Sequence, residues 1–312
     1  MKALVTGGAG FIGSNLVDAL VEKGAQVEVI DDLSTGREEN LAGATDAGVA
    51  LHVEDIASPA GRIPEIVSAL GPDVVFHLAA QMDVRRSVDD PAFDASVNVT
   101  GTIRMLTAAA DTGCAKFVFA STGGAIYGEG SGRTLPFTED ADLLPIAPYG
   151  QSKAAAEQYV EFFTRTGRLE GTSLRFGNVY GPRQDPAGEA GVIAIFLGRA
   201  LEGRPLTVFG DGDQTRDYVF VGDVVEAFLA AAASPPGTFN IATGEETSVN
   251  RLVEMIGDSF DGREVEVVHE EARDGEVEAI YLDPARARAE LGWSPRTGLT
   301  EGLVRTLDAL RE

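Results

Sequence analysis

The first 170 or so residues alternate short apolar runs with segments of helical period. Ala3-Leu4-Val5 is an apolar run that ends at a Gly-rich turn. Residues 11–22 carry Ile12, Leu16, Ala19 and Leu20 at helical spacing, and the pattern stops at Gly24. Further strands are predicted at 27–30, 49–53, 74–76 and 117–119, with helices over 60–70 and 92–112. Strands that alternate with helices read as βαβ units around a parallel sheet, and near-continuous apolar strands read as a sheet covered on both faces. From about Phe176 the pattern loosens, with short strands at 206–209 and 265–268. Helices are predicted there at 224–233, 249–260, 284–291 and 299–310. The expected fold class is α/β: a Rossmann-type, doubly wound parallel sheet with a smaller C-terminal α/β substrate lobe. The expected division is 1–175 for the sheet domain and 176–312 mainly for the lobe, with segments near 215–245 returning to the first domain.

The turn between the first strand and first helix reads Thr6-Gly7-Gly8-Ala9-Gly10-Phe11-Ile12-Gly13. Its glycines at 7, 10 and 13 give a tight turn, a close backbone approach to a pyrophosphate, and close packing of helix on strand. The helix N-terminus behind them offers free N–H groups to phosphates. Asp31 ends the second strand, where a carboxylate accepts from ribose hydroxyls and repels a 2′-phosphate, so NAD is favoured over NADP. Asp32 follows, and Asp55 after the third strand is placed to reach the adenine amino group. Leu78, Ala79 and Ala80 put small residues beside a passing cofactor. His77 reads as a packed strand histidine rather than a catalyst.

A second motif lies at Pro148-Tyr149-Gly150-Gln151-Ser152-Lys153, which opens a helix. Tyr149 and Lys153 stand at i and i+4 and share one face. A cation one turn away is expected to lower the phenol from its usual pKa of ~10, making it a general base for a sugar or alcohol hydroxyl. The alternative is an exposed Tyr–Lys pair, which the NAD turn upstream disfavours.

Composition narrows the setting. Lys plus Arg number 25 against 49 Asp plus Glu, a net charge of −24 that disfavours nucleic acid and anionic membranes. The single cysteine, Cys114, excludes an intrachain disulfide and fits a cytoplasmic location. The three histidines and one cysteine make no zinc-ligand spacing, so no metal is expected. No apolar stretch is long enough for a membrane span, and no signal-peptide core stands at the N-terminus.

Several motifs together resemble one family: T-G-G-A-G-F-I-G (6–13), H-L-A-A-Q (77–81), S-T-G-G-A-I-Y-G (121–128), P-Y-G-Q-S-K (148–153), L-R-F-G-N-V-Y-G-P-R (174–183), G-D-G-D-Q-T-R-D-Y-V (210–219) and L-G-W-S-P (291–295). Over essentially its whole length the chain resembles the extended short-chain dehydrogenase/reductases, and within them the NAD-dependent UDP-glucose 4-epimerases. The resemblance implies that Tyr149 is the base, that Lys153 holds the nicotinamide ribose and tunes Tyr149, and that a Ser or Thr assists. It implies a cofactor site that also includes Phe11, Ile12, Leu33, Thr35, Gly36 and Ile56. Gln81, Asn98, Ala120, Ser121 and Phe176 complete that site. It implies a UDP-sugar site formed by Thr122, Asn178, Val192, Thr207, Phe209, Arg216 and Arg273, the two arginines clamping the diphosphate. Without the family pattern, Arg216 and Arg273 would read as partners of surface carboxylates. The family's helices at 92–112 and 148–163 pair across a two-fold axis, so a homodimer is expected.

The chain departs from the family's pattern once. Where the usual hydroxyl stands, four residues before Tyr127, this chain has Gly123, so either Thr122 takes the role, which is the expectation, or Tyr149 works without a side-chain hydroxyl partner. Rival activities are another nucleotide-sugar epimerase, a dehydratase of the same fold, or a non-catalytic NAD-binding module. The related dehydratases place Asp-Glu directly after the Ser/Thr, where this chain has Gly123-Gly124.

Overall fold

The computed structural model describes residues 1–186, 191–260, 265–272, 275 and 277–311. The first half runs β1 (Lys2–Thr6), α1 (Phe11–Glu22), β2 (Gln26–Asp31), a 3-10 turn (Glu38–Leu41), α2 (Ala42–Asp46), β3 (Ala50–Val53), α3 (Ile63–Leu70) and β4 (Val74–His77). It continues with α4 (Val84–Asp89), α5 (Pro91–Ala95), a π turn (Ser96–Gly101), α6 (Thr102–Asp111), β5 (Lys116–Thr122), α7 (Gly123–Ile126), α8 (Pro148–Arg165) and β6 (Glu170–Phe176). The remainder comprises β7 (Asn178–Tyr180), α9 (Val192–Leu201), β8 (Leu206–Phe209), β9 (Thr215–Arg216), β10 (Tyr218–Phe220) and α10 (Val221–Ala232). It closes with β11 (Gly237–Ile241), β12 (Thr247–Ser248), α11 (Val249–Asp258), β13 (Val267–Glu270), a π turn (Ala287–Leu291) and α12 (Leu299–Arg311).

Seven strands form one parallel sheet in the order β11-β6-β5-β4-β1-β2-β3. This is the doubly wound Rossmann arrangement, whose strand order reverses beside β1. All four residues of β4 are buried, as the apolar run predicts for a central strand. One face packs Leu16, Leu20, Phe76, Val224, Phe228 and Trp293 into a single core. The other packs Ile66, Val67, Leu106, Phe117, Val160 and Phe163. Apolar burial at roughly 25 cal/mol per Å² on both faces is what holds the strands together. A third core around Tyr180, Phe196, Phe220 and Leu252 builds the C-terminal lobe. Segment 215–245 supplies both α10, which packs with α1, and the edge strand β11.

Two expected helices differ in detail. The 92–112 stretch is not one helix but α5, a π turn and α6. The wide turn aims Asn98 at the loop after β4: Asn98 Oδ1 accepts from Gln81 N at 3.0 Å, and Asn98 Nδ2 donates to Gln81 O at 2.8 Å. Gly101 in the same turn admits Ile56, whose Cδ1 lies only 2.8 Å from where a Cβ would stand. The 284–291 stretch likewise becomes mostly a π turn, closed by Gly292 at φ 64. Helix α9 was absent from the sequence pattern, because Val-Ile-Ala-Ile-Phe-Leu is a continuous apolar run without readable period.

Candidate active site

Every motif singled out in the first domain gathers at the C-terminal ends of the parallel strands, beside the point where the strand order reverses. Gly7 N donates to Ile30 O at 2.8 Å, tying the turn to β2. Gly7 has φ +69, and a Cβ there would stand 2.7 Å from Ala79 N. A Cβ on Gly13 would stand 2.1 Å from Gly7 O, so α1 can start against the turn only with glycine there. Gly10 is different: a Cβ there meets only Gly7 O, at 3.3 Å. Gly10 is the N-cap of α1 and no side chain caps the helix, so Phe11, Ile12 and Gly13 lead with uncapped backbone N–H groups.

Asp31 is buried, and its two oxygens accept from Ala9 N and Leu33 N, each at 2.9 Å. Burial pushes its carboxyl up, against the pull of those two bonds. Gly36 packs on it, a Cβ there falling 2.7 Å from Asp31 Oδ1. Asp32 and Thr35 are exposed, and Asp32 accepts from Ser34. Asp55 is exposed and accepts from Ala57 N at 2.7 Å, while Ile56 is buried.

After β4, Leu78 N donates to Thr6 O and Ala79 N to Thr6 Oγ1. His77 bridges Thr6 Oγ1 (2.7 Å) and Thr102 Oγ1 (3.0 Å). Because the Thr102 hydroxyl donates to Asn98 O, the His77 Nε2–H donates to Thr102 and Nδ1 accepts from Thr6. Burial, then the Lys153 charge, pushes His77 down to about 3, so it is a neutral packed histidine. Leu78, Ala79 and Ala80 are half-buried beside the Gly-rich turn.

Pro148 opens α8 and places Tyr149 and Lys153 one turn apart. Gly150 allows the close fit of α8 on α7, since a Cβ would lie 2.3 Å from Ala125 O. Lys153 Nζ donates to Ala120 O at 2.8 Å, lies 4.7 Å from the Phe119 ring centroid and 6.0 Å from that of Tyr149. Burial pushes Lys153 down to about 8, against the opposing charges of Asp94 and then Glu157. The expectation that Lys153 lowers the Tyr149 phenol is corrected: burial, followed by Asp94, pushes it up. The ammonium is committed to the Ala120 carbonyl, and desolvation is the larger influence on the phenol.

Thr122 ends β5 half-buried, and Ser121 beside it is buried with no hydrogen-bond partner on Oγ. Gly123 has a packing reason: a Cβ there would stand 2.2 Å from Leu282 Cδ1 and 3.1 Å from Phe176 O. Gly124 opens elsewhere, its Cβ position lying 3.5 Å from Asn178 Oδ1 and 3.9 Å from Thr122 Oγ1. Thr122 and Asn178 therefore border the same space. Asn178 N donates to Asp217 O at 2.6 Å, which seats it beside Arg216. Arg216 lies in β9 and donates to Thr215 O at 2.8 Å. Thr207 is buried in β8, Phe209 ends that strand, and Val192 opens α9. Arg273 lies outside the described residues.

The sequence reading missed two buried acidic residues here. Asp94 on α5 is fully buried, and its Oδ1 accepts from Gln81 Nε2 (3.0 Å) and Asn98 Nδ2 (2.9 Å). Gln81 and Asn98, expected at the cofactor, thus spend their side chains elsewhere: Gln81 on Asp83 and Asp94, Asn98 on the Gln81 backbone and Asp94. Glu157 on α8 is buried in a two-pronged pair with Arg175, Nη2 to Oε2 at 2.7 Å. The available signal was spacing: Asp94 with Asn98, and Lys153 with Glu157, stand at i and i+4. Among the described residues no group of three or more His, Cys, Asp or Glu could hold a metal ion, and no helix is long and apolar enough to cross a membrane.

A glycine-rich turn on a doubly wound sheet, with a Tyr–Lys pair beyond β5, defines a Rossmann-type enzyme of the short-chain dehydrogenase/reductase class. The chain belongs to the NAD-dependent epimerase/dehydratase family. A family model described as GDP-mannose 4,6 dehydratase matches residues 4–306. A UDP-glucose 4-epimerase of Mycolicibacterium smegmatis is 44% identical over 314 residues, covering 100% of this chain and 99% of that protein. The structure of a Thermotoga maritima UDP-glucose 4-epimerase, solved with UDP-glucose, is 44% identical with TM-score 0.94, covering 100% of this chain and 99% of that one. A Thermus thermophilus UDP-glucose 4-epimerase, solved with NAD, is 41% identical with TM-score 0.91, covering 100% of this chain and 99% of that one.

Proposed function

We propose that this protein interconverts UDP-glucose and UDP-galactose by epimerisation at C4, using bound NAD. The observation that carries the reading is the Tyr149–Lys153 pair beside the uncapped glycine turn, in a chain matched end to end by 44%-identical epimerases. The residues fit NAD. Gly10 leaves backbone open before the α1 N-terminus, Asp31 presents a carboxylate fixed by two backbone bonds, and Ser121 Oγ is a buried orphan beside Ala120. Exposed Asp32 and Thr35, with Leu33 and Gly36, would border the adenosine ribose; Asp55 and Ile56 the adenine; and Leu78, Ala79, Ala80 and Phe176 the nicotinamide side. When bound, NAD supplies the hydride acceptor for C4 and a positive ring that favours a phenolate nearby.

Tyr149 Oη removes the C4 hydroxyl proton, holds it while the sugar is a 4-ketone, and returns it after the ring has turned. Lys153 keeps a positive charge beside the phenolate and would hold the nicotinamide ribose. Thr122 and Asn178, which border one space, orient the C4 hydroxyl and the sugar. Phe209, Thr207, Val192, Arg216 and Arg273 hold the uracil and diphosphate, so the non-reacting end stays fixed while the sugar reorients. In this reading residues 1–175, with returning segments near 215–245, serve the cofactor, and 176–312 mainly serve the nucleotide sugar.

Dehydration is the second reading, because the matching family model carries a dehydratase description. Gly123 and Gly124 disfavour it: neither moves a proton, and Leu282 fills the space a side chain on Gly123 would need. The reading includes a cytoplasmic homodimer. Tyr159 and Phe162 on α8 support the dimer, at 40% and 45% exposure on one helix face. The test is product analysis by NMR with UDP-galactose, UDP-glucose and other nucleotide sugars. Equilibration of the two UDP-hexoses is expected. A 4-keto-6-deoxy product, or conversion only of another sugar, overturns the reading.

A further inference from the structure

A carboxylate is a costly choice for the position that Asp94 occupies. The residue is fully buried, and the donors it meets are two amides, Gln81 Nε2 and Asn98 Nδ2, both on Oδ1. An asparagine oxygen would serve those two donors equally well, without the penalty of burying a charge. Oδ2 is buried with no hydrogen-bond partner. What a carboxylate adds here is charge, and α5 packs directly on α8, the helix of Tyr149 and Lys153.

We propose that Asp94 is a positioning residue whose buried carboxylate sets the charge state of the Tyr149–Lys153 pair, and through it the pH window of proton transfer. The proposal rests on the reading of those two residues as the proton-handling pair. The other charged groups around the pair are already committed. Glu157, on the next turn of α8, is held by Arg175 of β6 through Nε and Nη2. His77 of β4 is neutral, with both ring nitrogens bonded. On α4, Asp83 caps its own helix, the Arg86 guanidinium stacks 4.1 Å from the Phe93 ring centroid, and Arg85 and Asp89 are exposed. Asp90, the N-cap of α5, is exposed too. Glu157 still bears on Lys153, but Asp94 is the buried carboxylate that bears on both members of the pair.

The signs follow from Coulomb's law. A nearby anion favours the ammonium of Lys153 and disfavours the phenolate of Tyr149, so it raises both. Both directions hold here, with burial the larger influence on each. Asp94 therefore keeps Lys153 charged in a buried site and delays release of the Tyr149 proton.

Asp94→Asn keeps an oxygen for both amide donors and removes the charge. The chain has only Lys2, Lys23, Lys116 and Lys153, so lysine Cε NMR titration resolves the site without substrate. In the variant the Lys153 titration should fall by about 1 unit from its wild-type position, the lower end for a close charge. Both limbs of the pH–rate profile should move in the acid direction together. Asp94→Ser makes the same neutralisation with a smaller side chain and should shift the same way. An unchanged Lys153 titration with unmoved limbs overturns the proposal, even if the rate falls at every pH. So does failure of both variants to fold, which would make Asp94 purely structural. Lack of turnover with UDP-hexoses in the wild type would sink the proposed function, yet leave the lysine titration to judge Asp94.

Discussion

At the end of β5 and the first turn of α8, single side chains set the chemistry. The protein groups alone hold Tyr149 protonated, since burial and Asp94 both push its phenol up. Tyr149→Phe should therefore keep the fold and melting temperature but lose at least ~10²-fold in rate, the low end for an acid–base group. A near-wild-type rate would remove Tyr149 as the base. Thr122→Ala should slow single-turnover hydride transfer ~10- to 100-fold, because a hydrogen bond to a charged group is worth about 1.5–3 kcal/mol. NAD affinity, read by fluorescence titration, should change little. His77 offers a pH test of stability. Its folded value of about 3 lies below the usual histidine value of 6.5, so its contribution is present above the unfolded value and is lost as pH falls through that window. The slope is at most about 1.4 kcal/mol per pH unit for one proton. In urea melts between those limits, His77→Gln should lose stability less steeply with falling pH than wild type.

At the scale of elements, the β5–α7 junction explains the departure from the family's pattern. Asp217 Oδ2 accepts from Leu282 N at 3.4 Å, and Asp283 N donates to Phe137 O at 2.8 Å, which pins Leu282 against Gly123. Leu282 is 1% exposed. Gly123→Ser should thus destabilise the protein by about 1–3 kcal/mol, the range for overpacking a filled core, as measured by urea unfolding. The effect belongs to packing, so it should appear with or without nucleotide sugar. Stability equal to wild type would mean that Leu282 yields easily. The π turn before α6 is the second such element, for it turns Asn98 inward to hold the β4 loop and Asp94 together.

At the scale of the whole molecule, the exposed aromatics of α8 are expected to be covered by a second copy of the chain. A face carrying Tyr159 and Phe162 at 40% and 45% exposure is apolar surface beyond the stripe already packed on the sheet. Phe162→Asp should convert a dimer to monomers by light scattering at micromolar concentration, because it places a charge in an apolar contact. A wild-type mass equal to one chain would reject the dimer outright. The net charge of −24 makes moderate salt the right condition, since self-repulsion between copies is then screened.

Much of this was legible in the chain itself. The parallel sheet, the glycine turn and the Tyr149–Lys153 face are written in short apolar runs, a local glycine motif and the 3.6-residue helical period, which any local window can read. Helix α1 lies over Phe11–Glu22, where the sequence places it. What folding alone decided are relations between distant segments. Leu282 fills the space beside Gly123, α5 brings the buried Asp94 against the helix of Tyr149 and Lys153, and β11 adds itself beside β6. The phenol's direction of shift is of the same kind, because desolvation depends on everything packed around the ring, and packing has no signature in local spacing.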